Sequence, residues 1–231
     1  MEFLLLIEDR RDEAPRESVG VEEMGKFARE LAAQGVLRGA DGPLRAESEA
    51  ARVRVKRGVP TVVDGPFTEG REVVSGYFVV DVPDRAAAIE LAKRCPYARA
   101  GVIEVRAVAN GRRIEGSGAP RFVLLFLWGP ELTGPDEPRR AEMGTFHQVL
   151  AQEGKLIGGG RLPPETPAAR VEIRGAKTIV TDGPFAETKE IIAGFAVIQA
   201  ADRAEAIEIA KRMPHAKWDV VVVREVARPA R

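Results

Sequence analysis

One stretch occurs twice in this chain and restricts what the chain can fold into. Thr61-Val62-Val63-Asp64-Gly65-Pro66-Phe67-Thr68-Glu69-Gly70-Arg71-Glu72 is matched by Ile179-Val180-Thr181-Asp182-Gly183-Pro184-Phe185-Ala186-Glu187-Thr188-Lys189-Glu190. Each copy reads as a strand that runs into Asp-Gly-Pro-Phe and then a short run of mixed charge. Proline fixes φ and has no amide hydrogen, and it pushes the residue before it out of the helical region. Gly65-Pro66 and Gly183-Pro184 therefore end a strand in a sharp loop that presents an Asp carboxylate, and loops at strand ends commonly carry function.

The similarity spreads beyond the motif. Phe3-Leu4-Leu5-Leu6-Ile7 corresponds to Phe122-Val123-Leu124-Leu125-Phe126, and neither run alternates polar with apolar residues, so both faces of each strand are expected to be covered. A helix from about residue 19 to 34, with Met24, Phe27, Ala28 and Leu31 in phase, is echoed by Met143, Phe146, His147 and Leu150. Arg52-Val53-Arg54-Val55 and Arg170-Val171-Glu172-Ile173 alternate, and Arg57-Gly58 or Arg174-Gly175 supplies a hairpin turn into the motif strand. Asp84 and Asp202 are N-caps for helices over 85–94 and 203–212, which Pro96 and Pro214 close. The order in each half is written β-α-β-β-β-α-β, the split βαβ arrangement of a ferredoxin-like α+β domain. The expected division is 1–110 and 121–231, joined by a Gly-rich polar linker at 111–120. Two helices cover one face of each sheet, so the other faces are expected to be buried by sheet-to-sheet packing, as an internal pseudo-dimer.

At 231 residues, with 35 basic and 35 acidic side chains, the chain has no global field to draw in nucleic acid or an anionic membrane. Its one cysteine, Cys95, excludes an internal disulfide and fits a reducing compartment. Met1–Ile7 has no basic flank and meets charge too early for a signal peptide, so a cytoplasmic protein is expected.

The duplicated Asp-Gly-Pro-Phe-x-Glu-x-[Arg/Lys]-Glu, the Arg52-Val53-Arg54-Val55 strand before it, the Gly76-Tyr77 and Gly194-Phe195 strands after it and Val105-Arg106 together resemble the DGPF branch of the YCII-related proteins. The resemblance covers both halves; the first departs from the pattern at Gly70-Arg71, where the second has Thr188-Lys189. It implies two ferredoxin-like domains packed sheet to sheet as a fused dimeric α+β barrel. It also implies a regulatory link, since DGPF proteins are often encoded beside extracytoplasmic-function sigma factors. The broader group is associated with a His in the first helix and an Asp near the end of the second. Those positions fall on Met24 and Met143, and on Cys95 and Met213, so that dyad is absent.

Asp64 and Asp182 either hold a ligand or act as bases, or simply accept amides in a tight turn. Glu69, Arg71 and Glu72, with Glu187, Lys189 and Glu190, either rim a polar pocket or are a solvated charge run. Cys95 shares a face with Ala88, Leu91 and Ala92, and reads as core rather than nucleophile. His215, beside Pro214 and matching Tyr97, reads as surface or rim. Cofactors and metals have no supporting motif: the three Gly at 158–160 lack phosphate-loop partners, and two His with one Cys cannot build a zinc cluster. The expected function is the binding of an unknown small molecule in polar pockets near the two DGPF loops, with acid/base activity as an open extension. A non-enzymatic regulatory or interaction protein, acting with a sigma factor, is the alternative. The second half is expected to hold the chemistry, with His147, Asp182 and Lys189 lining one cavity, and further homo-oligomerisation stays open.

Overall fold

The structure is a computed structural model that describes residues 1–10, 17–40, 42–67, 72–112, 114, 120–129, 137–163, 166–182 and 191–227. The first repeat carries β1 (Glu2–Arg10), α1 (Val21–Ala33), β2 (Leu37–Ala40), β3 (Ala51–Lys56), β4 (Val59–Asp64), β5 (Glu72–Asp81), α2 (Arg85–Arg94), β6 (Val102–Ala107) and β7 (Ala109–Arg112). The second carries β8 (Arg121–Trp128), α3 (Glu137–Gln152), β9 (Leu156–Arg161), β10 (Ala169–Arg174), β11 (Lys177–Asp182), β12 (Ile191–Gln199), α4 (Arg203–Arg212), α5 (His215–Trp218) and β13 (Val221–Glu225). Two sheets and these helices make an α+β fold. Four strands, not three, separate the long helices of each repeat, because each hairpin contributes two. β7 also carries strand into the stretch expected as linker.

Local chemistry accounts for the elements. Asp84 accepts from the Ala87 amide at 2.8 Å and Asp202 from Glu205 at 2.9 Å, so both N-caps form as their residue type favours. Arg57 and Gly58 take φ of 51° and 80° in a two-residue turn, the left-handed pair that matches strand twist. Gly65 does not have such a φ. Its requirement is steric: a Cβ there would run into the backbone carbonyl of Glu47.

The chain divides into two compact units that do not coincide with the sequence repeats. The first comprises Met1–Leu44, Glu69–Ala109 and Glu165–Glu187; the second comprises Arg45–Thr68, Asn110–Pro164 and Thr188–Arg231. The first unit holds a six-stranded sheet in the order β11-β10-β6-β1-β5-β2. Its outer hairpin, β10–β11, comes from the second repeat and joins through antiparallel pairing of β10 with β6, Ala169 opposite Val105. The second unit holds a seven-stranded sheet in the order β4-β3-β13-β8-β12-β9-β7. There the β3–β4 hairpin of the first repeat joins, with Val221 opposite Val53.

Helices cover one face of each sheet. In the first unit Phe3, Leu5 and Ile7 of β1, with Ile103, Val105, Ala169 and Val171, pack with Phe27, Leu31, Ala88 and Leu91. In the second, Phe122, Leu124 and Phe126 pack with Leu150, Ala206, Ile209, Ala210 and Met213. The opposite face of β1 is also covered: Leu4 and Leu6 are buried. Cys95 is part of the first core, and burial pushes its thiol up to about 12, which removes the thiolate needed for nucleophilic work.

Candidate functional site

The face of the first sheet that turns away from the helices is not apolar throughout. Leu4 and Leu6 are followed at the next same-side position by Glu8, just past a bulge in the β1–β5 register. Leu6 lies opposite Glu104 of β6, Leu4 opposite Arg106, and Glu104 opposite Arg170 of β10. Three strands, one of them from the other repeat, thus set a patch of charge into a covered surface. Glu8 is 5% exposed, Arg170 4% and Arg106 5%.

Within the patch most groups are engaged. Arg170 makes a two-pronged contact with Glu72, with Nη1 at 2.7 Å from Oε2 and Nη2 on Oε1. Arg106 Nη1 donates to Glu104 at 3.1 Å. Arg174 donates to Glu172 at 3.2 Å, and Arg10 lies 3.6 Å from the other Glu172 oxygen. Glu8 is different. Its Oε2 is buried, accepts no hydrogen bond from the described residues, and lies 3.5 Å from Arg170 Nη2. Burial first, then the Glu104 carboxylate, pushes the Glu8 pKa well above the usual carboxylate range, against the pull of Arg170. Arg170 is held charged although burial opposes it, because it serves Glu72 and faces Glu8.

The duplication provides a control for this patch. Counting from Phe3 and Phe122, the Glu8 position is Leu127 in the second repeat and Asp9 is Trp128; counting from Arg106 and Arg224, Glu104 is Val222. Arg170 is matched by Arg52, whose guanidinium sits 4.7 Å from the centre of the Phe67 ring. The scaffold therefore accepts apolar side chains where the first unit has acids. A buried ion network seldom stabilises more than well-packed apolar residues do, so folding alone does not require Glu8 and Glu104.

The residues singled out from sequence are distributed as follows. Glu72 is in the patch. Asp182 is 74% exposed on its side chain and is bound at 2.5 Å by Arg85 at the first position of α2, whose Nη2 also donates to Ala168 O at 3.1 Å. Asp64 is bound in the same way by Arg203, which opens α4 and also donates to Glu49 O and Ala50 O. Each motif Asp is thus tied to an Arg of the other repeat. His147 belongs to the second unit and Asp182 to the first. The His147 ring stacks 6.3 Å from Phe126 with Nε2 buried and without a hydrogen bond among the described residues, and burial, then Arg112, lowers its pKa. Glu69, Arg71, Glu187, Lys189 and Glu190 lie outside the described residues.

His215 is not a rim residue. It is 3% exposed, and its Nε2 lies 2.8 Å from Leu127 O, with Phe126 and Trp128 against its ring. The short α5 turns the ring inward, which a single His after Pro214 did not reveal. Its counterpart Tyr97 donates to Asp9, and burial, then that bond, raises the phenol to about 12.

The model of the YCII-related domain matches residues 1–111 and again 121–229. The chain belongs to the YCII-related family. A curated relative, an uncharacterised protein from Rhizobium meliloti (strain 1021), is 38% identical over 81 residues, which is 35% of this chain and 65% of that protein. A crystal structure described as a "Putative Chlorite dismutase" aligns over 97% of this chain and 94% of its own at 11% identity, with a TM-score of 0.36. In this tandem YCII-related protein, the positions matched to the group's His and Asp are Met24 and Met143, half-buried against the two cores, and the buried Cys95 and Met213. Glu8 was missed because it opens a run of charge at a strand end. Its signal was its phase with Leu4 and Leu6.

Proposed function

We propose that this YCII-related protein binds a small polar molecule at the charged patch of the first unit, and that Glu8 exchanges a proton with it. One observation carries this reading: Glu8 Oε2 is buried beside a guanidinium and accepts no hydrogen bond from the described residues. An oxygen left in that state costs about 1–3 kcal/mol, which an arriving donor recovers. Arg170 and Arg106 already serve Glu72 and Glu104, so the patch wants a donor rather than an acceptor. An amine or a hydroxylated molecule meets that need. A carboxyl whose pKa is raised above the usual carboxylate range is also a candidate general acid or base. Ionised Glu8 takes a proton from a bound ammonium or hydroxyl, and protonated Glu8 returns one.

The test is a thermal-shift series with small alkylamines and polyols on the full chain, with Glu8→Gln and Glu8→Leu in parallel. Leu is the residue that the second repeat carries at this position. A stabilising compound is expected to act on the native chain, less on Glu8→Gln and not on Glu8→Leu. Equal stabilisation of all three proteins, or of none by any member of the series, contradicts the reading.

A further inference from the structure

The two hairpins leave the two sheets with unlike outer edges, and this difference points to a partner. β11 ends the first sheet and β4 ends the second. Arg174 and Lys177 flank the turn at Gly175 and pair directly, and Glu172–Ile179 and Arg170–Thr181 follow in the same phase. In an antiparallel ladder, residues of such pairs point their N–H and C=O groups at each other, and the residues between them point theirs outward. Among the described residues, Thr178, Val180 and Asp182 therefore present donors and acceptors that no strand uses at the β11 edge. In β4 the corresponding residues are Pro60, Val62 and Asp64. The phase is fixed by the Gly65 amide, which donates to Ala50 O at 3.0 Å, so Gly65 and every second residue before it face β3. Pro60 has no N–H to offer at the outer edge, one of the ways in which exposed edges are kept from pairing.

The side chains do not separate the two edges, since Val62 of β4, opposite Val53 of the second core, is 37% exposed; the backbone at Pro60 does. Val180 is opposite Val171, which belongs to the helix-covered core, and it remains 41% exposed. It thus extends a core row beyond its last covered member. A second copy placed antiparallel, with Val180 on the two-fold axis, adds its own Val180 to that row. In that register Thr178 faces Asp182 of the second copy, a hydroxyl opposite a carboxylate.

We infer that β11 is the docking edge for a second copy of this chain, and that Pro60 keeps the β4 edge from doing the same. Two competent hairpin edges would link copies through each in turn without closure, whereas one competent hairpin edge closes as a two-fold dimer. This inference is independent of the Glu8 site.

Sedimentation velocity across roughly a hundredfold range of concentration reads it directly. The 25.1 kDa chain is expected to sediment as a dimer that gives way to monomer on dilution. Thr178→Pro copies the β4 edge onto β11 and should leave a folded monomer, while Pro60→Thr should yield species larger than the dimer. Amide exchange on the native chain adds a measurement independent of any variant: Thr178, Val180 and Asp182 should be protected at high concentration and not at low. A chain that is monomeric throughout, a dimer that survives Thr178→Pro, or unprotected β11 amides in the dimer would each overturn the inference.

Discussion

Glu8 occupies the site that Leu127 fills in the other repeat, and the exchange of a carboxyl for an isobutyl group affects stability as well as chemistry. Its folded pKa is raised, so the stability it confers is complete below the ordinary carboxyl pKa and is lost as pH rises through the raised value. The native chain should therefore melt at progressively lower temperature across that interval. Glu8→Gln, which stays neutral, should lose this dependence and melt higher than the native chain above it, as calorimetry at stepped pH would register. A parallel decline in both proteins would mean that Glu8 ionises freely. Groups that cost stability in this way are the ones a fold retains for function.

At the scale of elements, the Asp-Gly-Pro-Phe motif has two separable roles. Gly65 is needed because the Glu47 carbonyl lies where its Cβ would be, and backbone cannot yield as a flexible side chain can. Gly65→Ala should cost on the order of 1–3 kcal/mol in denaturant unfolding; a change within error would mean that the neighbouring 3-10 turn at Glu47–Glu49 moves freely. The same substitution at Gly183 lies outside the described residues. The Asp of the motif is a weaker matter energetically. Asp182 is largely exposed, so Asp182→Asn should lower stability by less than about 1 kcal/mol despite its short contact with Arg85. A larger loss would assign the pair a structural role that its exposure does not support. Helices α2 and α4 were legible to the residue because Asp caps and Pro stops act locally. The hairpins were legible for the same reason, at Arg57-Gly58 directly and in the second repeat one residue later than Arg174-Gly175, since Arg174 belongs to β10 and the turn is Gly175-Ala176. Where the hairpins dock was not, because pairing of β10 with β6 depends on contacts between residues far apart in sequence, which periodicity does not encode. Of the candidate site, Glu72 alone was legible and falls in the patch, while Glu8, Glu104 and Arg170 become a group only when three strands align.

For the whole molecule, the exchange of hairpins means that neither repeat contains a complete sheet. Residues 1–110 alone would keep β1, β2, β5 and β6 but lack β10–β11, and would carry β3–β4 without β13 to receive it. Such a fragment has both a vacant strand position and a strand pair to fill one. It should form a homodimer by reciprocal hairpin exchange, with dissociation and unfolding coupled, so that its melting temperature rises with concentration. A fragment that melts at a concentration-independent temperature as a monomer would show that the hairpin is dispensable. The patch itself depends on this exchange, since Arg170 comes from the second repeat and Glu8, Glu72, Glu104 and Arg106 from the first. The functional claim thus returns to one proton. Carbon-13 NMR of the side-chain carboxyls across pH, with Glu8 assigned by comparison with Glu8→Gln, measures it directly. Glu8 should titrate well above the other glutamates and shift toward them when an amine occupies the site; a Glu8 that titrates with the surface carboxylates would contradict the account.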